Sequence, residues 1–501
     1  MQLKSRRSPS RKFAGSTPPR RCSPSRFEAA RDADREDAPD VAKRERMRAD
    51  FDVVVAGGGN AGCAAALAAA RSGARTLLIE RYGFLGGTAT AAMVGPWMTF
   101  HSGSDRIVGG IAEEIVERLQ ARGGSPGHVR DASDYVATIT PFDPEEHKAL
   151  LFDLMRESDV SLLLHAWFLQ TLLNERGAAI GVRVATVGGE RSYRAPVIVD
   201  ATADAYVAAS AGVATQQGDE RGNVQPATLI FRLSHVDLDA LAAYTREHPE
   251  QIRSSLTPGD RTAASLTAVA GLYDLWKSAR ENGEVNVPRE LVSFFATPFP
   301  DEVTVNMTRV TGIDPLDPDD LTRAEVEGRA QVTELVRFFK SRVPGFANAR
   351  LAATATQIGI RESRRIVGVY TLTRDDVLQA RSFEDAVARS AYPIDIHNPS
   401  GSGTTTFRLP PGGAYEIPYR CLVPKTVDGL LVAGRCISTT HEALASARLT
   451  PTVMTLGQAA GTAAALAVDS ARDPRAIDTG ELRARLERAG VDLRRAAPAN
   501  A

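Results

Sequence analysis

Phe51-Asp52-Val53-Val54-Val55-Ala56-Gly57-Gly58-Gly59-Asn60-Ala61-Gly62 is the stretch on which the fold turns. Its first half is an apolar, β-branched run of the kind found in a strand buried on both faces. Its second half satisfies G-x-G-x-x-G, and the alanine-rich run to Ser72 predicts a helix that stops at Gly73. Thr76-Leu77-Leu78-Ile79-Glu80 then reads as a second strand, completing a β-α-β unit. In such a unit Gly57 serves the tight turn, Gly59 the approach of backbone amides to a pyrophosphate at the helix start, and Gly62 the close packing of helix on strand. Glu80 closes the second strand, where a carboxylate accepts from both ribose hydroxyls of an adenosine and repels a 2′-phosphate. The unit therefore predicts a dinucleotide site of the non-phosphorylated kind.

Outward from this unit, Pro144 to Ser158 predicts an amphipathic helix and Val160 to His165 a strand. Alternating segments at 168–173, 178–187 and 191–194 predict a small β-meander, and Val197-Ile198-Val199-Asp200 a further buried strand. From about Gln225 to Arg350 the texture changes to short strands (229–233, 303–307), helical stretches and Pro–Asp turns. Gly429 to Gly434 and Thr452 to Val468 return to the texture of the opening unit. The fold class expected is α/β, a Rossmann-type dinucleotide-binding domain with a mostly parallel sheet and a β-meander, carrying an inserted α+β substrate domain. The boundaries expected are a disordered basic tail over 1–49, the first part of the dinucleotide domain over 50–224, and the inserted cap over 225–350. The return over 351–470 brings some cap strands, and 471–501 forms a peripheral helix and tail.

Charge is divided unevenly along the 501 residues. The chain nets −1, but residues 1–50 hold 14 basic and 8 acidic side chains, so the remainder is acidic. That body gives no reason to expect nucleic acid as a partner. The Arg-, Ser- and Pro-rich start has no apolar periodicity and reads as a solvated tail. No apolar segment follows Arg6-Arg7 as an export signal requires, and Met47 offers an alternative translation start. Four cysteines, none in C-x-x-C spacing, and scattered histidines signal no iron–sulfur cluster and no metal site, and they fit a reducing cytoplasm. Leu449 to Val468 lacks charge for twenty residues, yet Pro451, Gly457, Gln458, Gly461 and its threonines favour a buried helix over a membrane span.

The loop after Glu80, Arg81-Tyr82-Gly83-Phe84-Leu85-Gly86-Gly87-Thr88, has paired glycines suited to an extended cofactor. Together with Asp200-Ala201-Thr202-Ala203-Asp204, Gly359–Gly368, Gly434-Arg435-Cys436-Ile437-Ser438 and Pro451–Gly461, it makes the sequence resemble the FAD-dependent oxidoreductases of the glutathione-reductase superfamily. The branch it resembles shares a flavin domain with the flavin-carrying subunit of heterodisulfide reductase. The resemblance implies non-covalent FAD. Its ADP half would lie on Gly57, Gly59, Gly62 and Glu80, its pyrophosphate and flavin near Gly86, Gly87 and Thr88, and Arg81 and Asp204 would also bind the cofactor. Gly434 and the helix start at Thr452 would face the ribityl chain and ring, and at Arg435 the ribityl contact is either lost or replaced by a cation near the phosphates. Many relatives carry an acid where Arg435 stands, and cluster-bearing relatives carry cysteine runs that this chain lacks.

Candidate catalytic residues are His441, as a base over the flavin, and Arg361 and Arg448, whose guanidinium forks suit a carboxylate or the flavin carbonyls. Arg364 and Arg365 belong to the same group, an ion pair of Glu362 with Arg361 or Arg364 is the structural alternative, and His101 is a further candidate. Cys436 has no second cysteine at redox spacing. No second fingerprint exists, since Gly401-Ser402-Gly403 lacks a third glycine. The expectation is an FAD-dependent oxidoreductase, a dehydrogenase or oxidase, taking hydride from a small polar organic substrate and passing electrons to oxygen, a quinone or a carrier protein. Two alternatives are an NAD-dependent dehydrogenase, and a non-catalytic flavin- or adenylate-binding module whose basic tail recruits RNA or a protein.

Overall fold

The computed structural model describes residues 51–494; the expected basic tail and the Met47 start lie outside the described residues. A five-stranded, all-parallel sheet forms the centre: β1 (Val53–Ala56), β2 (Thr76–Ile79), β3 (Ser161–Leu163), β4 (Val197–Asp200) and β5 (Leu430–Val432), in the order β5-β4-β1-β2-β3. Val53 stands opposite Val197 on one side and Thr76 on the other, and Ile198 opposite Leu430. Every residue of β1, β2, β4 and β5 is buried, as expected of strands covered on both faces. The chain leaves β1 toward β2 and later returns to β4 on its other side. The carboxyl ends of β1 and β4 thus flank a topological switch point, where such sheets open a crevice for ligands.

Helix α1 (Asn60–Arg71) connects β1 to β2, and α2 (Thr450–Asp469) lies against it. The contact is unusually close. A methyl group at Gly457 would stand 2.0 Å from the Ala61 carbonyl oxygen, and one at Gly461 2.0 Å from that of Ala65. Two glycines four apart meet two alanines four apart, so the stripe that lacked charge is a helix buried in protein. Among the described residues no helix is long and apolar enough to cross a membrane. The predicted meander is present as antiparallel strands Trp167–Leu173, Ala179–Thr186 and Gly189–Arg194.

A second hydrophobic core, around Trp276, Phe294, Phe338, Phe339 and Phe346, belongs to the inserted segment. Its antiparallel sheet runs in the order 252–253, 268–271, 292–296, 303–305, 231–234, 350–354, and the long helix Pro318–Arg342 packs into the same core. Strand Arg350–Thr354 pairs with Phe231–Ser234, and Ala355 and Ile358 lie in the cap core. Two hairpins beyond it, 386–390 with 415–418 and 394–397 with 404–407, were not resolved by the sequence pattern.

Candidate functional site

A cavity of about 810 Å3 opens between the carboxyl edge of the parallel sheet and the cap, within the range of sites for sizeable ligands. Its floor comes from the turns that leave β1, β4 and β5: Gly57 and Gly59, Ala201 to Asp204, and Gly434 with Arg435. Its far wall is apolar and comes from Val94, Pro96 and Met98 and from cap residues such as Val269, Leu291 and Phe295.

The turn after β1 is built so that a side chain is excluded. Gly57 has φ +104°, and a Cβ on Gly62 would come within 1.8 Å of the Gly57 carbonyl oxygen. The Gly58 N–H donates to Glu80 Oε2 at 2.6 Å and the Tyr82 N–H to Oε1 at 2.9 Å, which fixes the carboxylate at the cavity edge. Burial pushes the Glu80 carboxyl up, opposed by those two donors. Arg81 lies over the rings of Tyr82 and Trp167, at 5.0 and 5.4 Å, and donates to Gln357 at 2.8 Å. Asp200 organises the turn after β4, accepting from the N–H groups of Thr202 and Ala208 at 3.0 and 2.9 Å. In the following residues Asp204 pairs with Arg435, and Ser363 Oγ donates to Asp204 at 2.6 Å and accepts from Arg435 at 3.1 Å. The arginine at a position where many relatives hold an acid is therefore neutralised by an acid from the neighbouring turn.

Both helices that begin at this cavity start without a side-chain cap. Neither α1 nor α2 has an acidic residue in its first turn. Other helix starts are closed by Asp143, Asp237, Asp317, Thr373, Thr440 and Asp478, whereas those at Ile111, Tyr206 and Tyr273 also lack a side-chain cap. Uncapped amides at a helix start, with the positive end of the dipole, suit phosphate. Bare-backbone turn, open helix starts and a fixed terminal carboxylate together fit an extended dinucleotide such as FAD.

Of the residues singled out from sequence, Gly57, Gly59, Glu80, Arg81, Gly87, Thr88, Asp204, Gly434, Arg435, Arg361 and Arg448 line the cavity. Gly62 and Gly86 stand behind it as packing positions. Helix α2 begins at Thr450, so Leu449, Thr450 and Val453 line the cavity while the Thr452 hydroxyl, in the same turn, lies 3.1 Å from Ser390.

His441 is placed differently. It is not among the lining residues; its Nδ1 lies 2.9 Å from the fully buried Glu362, which also pairs with Arg365. His101 faces Thr138 at 3.0 Å and is likewise outside the lining. Arg364 is turned away from an anion-binding role, donating to the Asp204 carbonyl at 2.9 Å and covering the Tyr206 ring. Cys63, Cys421 and Cys436 are free and buried, and burial pushes each thiol up.

The sequence reading missed a polar group on the cap side of the cavity: Arg289, Tyr135, Tyr392, Asp395 and His397. Asp395 and His397 are two apart on strand Ile394–His397, so they share a face; the period-two pattern was the available signal. His397 Nε2 lies 3.4 Å from Asp395, and Nδ1 3.5 Å from Arg309. Burial, reinforced by the charge of Arg361, brings His397 down to about 3, so its ring is neutral at neutral pH. Burial works against the Asp395 charge, but His397 and Arg448 hold its carboxyl well below the usual range.

The family model for FAD dependent oxidoreductases matches residues 52–486. The chain belongs to this family. As a FAD-dependent oxidoreductase it is an enzyme and a non-covalent flavoprotein on a Rossmann-like α/β frame. Solved structures similar to this oxidoreductase include a triple mutant of the flavin-dependent brominase Bmp2, at 14% identity over 87% of this chain and 84% of that one, TM-score 0.45. A geranylgeranyl bacteriochlorophyll reductase-like protein from Thermoplasma acidophilum is similar at 14% identity over 88% and 82%, TM-score 0.44. Aklavinone-11 hydroxylase, in complex with FAD and aklavinone, is similar at 15% over 85% and 63%, TM-score 0.39. A tRNA uridine 5-carboxymethylaminomethyl modification enzyme, MnmG of Wolinella succinogenes, is 30% identical over 167 residues, 30% of this chain, which spans about a quarter (24%) of that enzyme. Among the described residues no group of three or more His, Cys, Asp or Glu is arranged to hold a metal ion.

Proposed function

We propose that this oxidoreductase removes a hydride and a proton from a small polar organic substrate, and that it belongs to the glutathione-reductase superfamily branch sharing a flavin domain with the flavin-carrying subunit of heterodisulfide reductase. The observation that carries the reading is a single cavity with a dinucleotide-shaped floor and a polar cluster set into its apolar cap wall. Gly57, Gly59, Glu80, Gly87, Thr88, Asp204, Gly434, Arg435 and the starts of α1 and α2 would hold FAD, which when bound supplies the two-electron acceptor. The substrate sits against the cap wall, with Arg361 and Arg448 orienting it and the apolar residues excluding water. Its hydroxyl or amine takes the place of the 3.5 Å Arg309 contact at His397 Nδ1 and gives up a proton there as the C–H hydrogen leaves with its electron pair, and the product is the corresponding carbonyl or imine. Asp395, facing Nε2, steadies the imidazolium that forms. Three buried thiols suit a reducing cytoplasm, and electrons leave to oxygen, a quinone or a carrier protein.

Single-turnover reduction of bound flavin tests the assignment of the base. His397→Gln is expected to slow reduction by about 100-fold or more, the usual contribution of a positioned base, while FAD content stays at wild-type level. His441→Gln, altering a group outside the cavity, is expected to stay within a few-fold of wild type. The reverse ranking would return the role to His441 and overturn the assignment.

A further inference from the structure

We propose that the substrate carries a carboxylate, and that Arg361 and Arg448, with Arg289 beside them, bind it against the cap wall. This rests on the oxidoreductase reading above and names the substrate class of the same site.

Several guanidinium groups elsewhere in the molecule are matched with carboxylates, Arg365 with Glu362, Arg435 with Asp204 and Arg232 with Glu302, while the buried Arg261 stands alone and donates to the Thr245 carbonyl. At the cap wall this matching fails. Arg289, Arg361 and Arg448 line the cavity and Arg309 packs beside His397, yet among the described residues none of the four has a carboxylate within ion-pair distance. Arg361 donates only to neutral oxygens, the Pro226 carbonyl at 2.7 Å and Thr228 Oγ1 at 2.6 Å. Arg448 reaches the Gln225 side chain and the Asp395 carbonyl only at 3.4 and 3.5 Å, and its Nε is buried without a partner.

Two acids stand against these four arginines: the buried Asp395, which already serves His397 and Tyr392, and the exposed Glu290, which lines the cavity beside Arg289. Positive charge is therefore in excess in an enclosed, largely apolar space, a costly arrangement unless an anion completes it. Burial and then the charges of Arg448, Arg289 and Arg309 depress Arg361 well below the usual guanidinium range, the direction expected where cations are crowded. Planar forks favour a planar two-oxygen acceptor, and the apolar residues opposite suit the body of an organic acid.

Flavin-loaded full-length protein is titrated with acetate, succinate and benzoate, with the corresponding amides, and with inorganic phosphate, reading heat of binding and the shift of the flavin band near 450 nm. At least one carboxylate is expected to bind ten-fold or more tighter than its amide and than phosphate. Arg361→Met and Arg448→Met are expected to abolish that preference at unchanged FAD content, with Arg361→Lys restoring part of it. Equal binding of acids and amides, a preference that survives both Met variants, or tighter binding of phosphate would overturn the carboxylate assignment. Loss of FAD from both Met variants and from Arg361→Lys would also overturn it, by placing the arginines in the cofactor site. Carboxylate binding without reduction of the flavin by any organic acid would leave the anion site standing and overturn the hydride-removal reading instead.

Discussion

Glu80 illustrates how one side chain joins fold and chemistry. Its carboxylate is tied to the Gly58 and Tyr82 amides, so it braces the turn after β1 and faces the cavity at once. Replacement by Gln leaves the volume but removes the charge that strengthens hydrogen bonds from ribose hydroxyls, contacts worth about 1.5–3 kcal/mol when one partner is charged. Glu80→Gln is expected to weaken FAD affinity about ten-fold or more, read by fluorescence on reloading the apoprotein, with little change in the reduction rate of protein that is fully loaded. His397 and Arg361 act at the other end of the cavity, and the neutral His397 ring is expected to give nitrogen NMR shifts that do not titrate between pH 5 and 8.

Helix packing sets the next constraint. With Gly457 and Gly461 each allowing a carbonyl of α1 to come within contact distance, neither position has room for a side chain. Gly461→Val is expected to cost about 1–3 kcal/mol or more, as overpacking in a dense interior does, and to lower the thermal midpoint even without cofactor. Capping separates stability from function here. Asp317 accepts from the Asp319 and Asp320 amides at the start of the cap's long helix and does not itself line the cavity, although its neighbours Pro315 and Leu321 do. Asp317→Ala is expected to lower stability by about 1 kcal/mol in a urea titration and to leave flavin reduction unchanged.

The parallel core and its floor residues were legible because they depend on local rules: a buried β-branched run, glycines where backbone must come close, and an acid at a strand end. On the cap wall Arg361 and Arg448 were singled out but Arg289 and His397 were not, because the four are brought together from separate segments and no spacing along the chain encodes that meeting. His441 misled for a related reason. Its position near β5 fits a flavin-facing group, but Glu362, contributed by another segment, pairs with it outside the cavity.

At the scale of the whole molecule, buried neutral histidines set the acid limit of stability. His147, fully buried with Nε2 2.8 Å from Asn60, is brought by burial to about 3. Its folded pKa lies below the unfolded value of 6.5, so its stabilising contribution is complete above that value and is lost as pH falls toward 3. The slope is at most about 1.4 kcal/mol per pH unit per group. The thermal midpoint is expected to fall on acidification from pH 6.5 to 4, and His147→Gln is expected to flatten that limb. The central claim, that the cavity between sheet and cap is the active site of a hydride-removing flavoenzyme, is tested most directly by anaerobic mixing of the flavin-loaded protein with a panel of hydroxy acids, amino acids, polyols and amines. Bleaching of the 450 nm band by one or more organic acids, saturable and abolished by Arg361→Met, is the result expected; a flavin band that no member of the panel bleaches would contradict the claim.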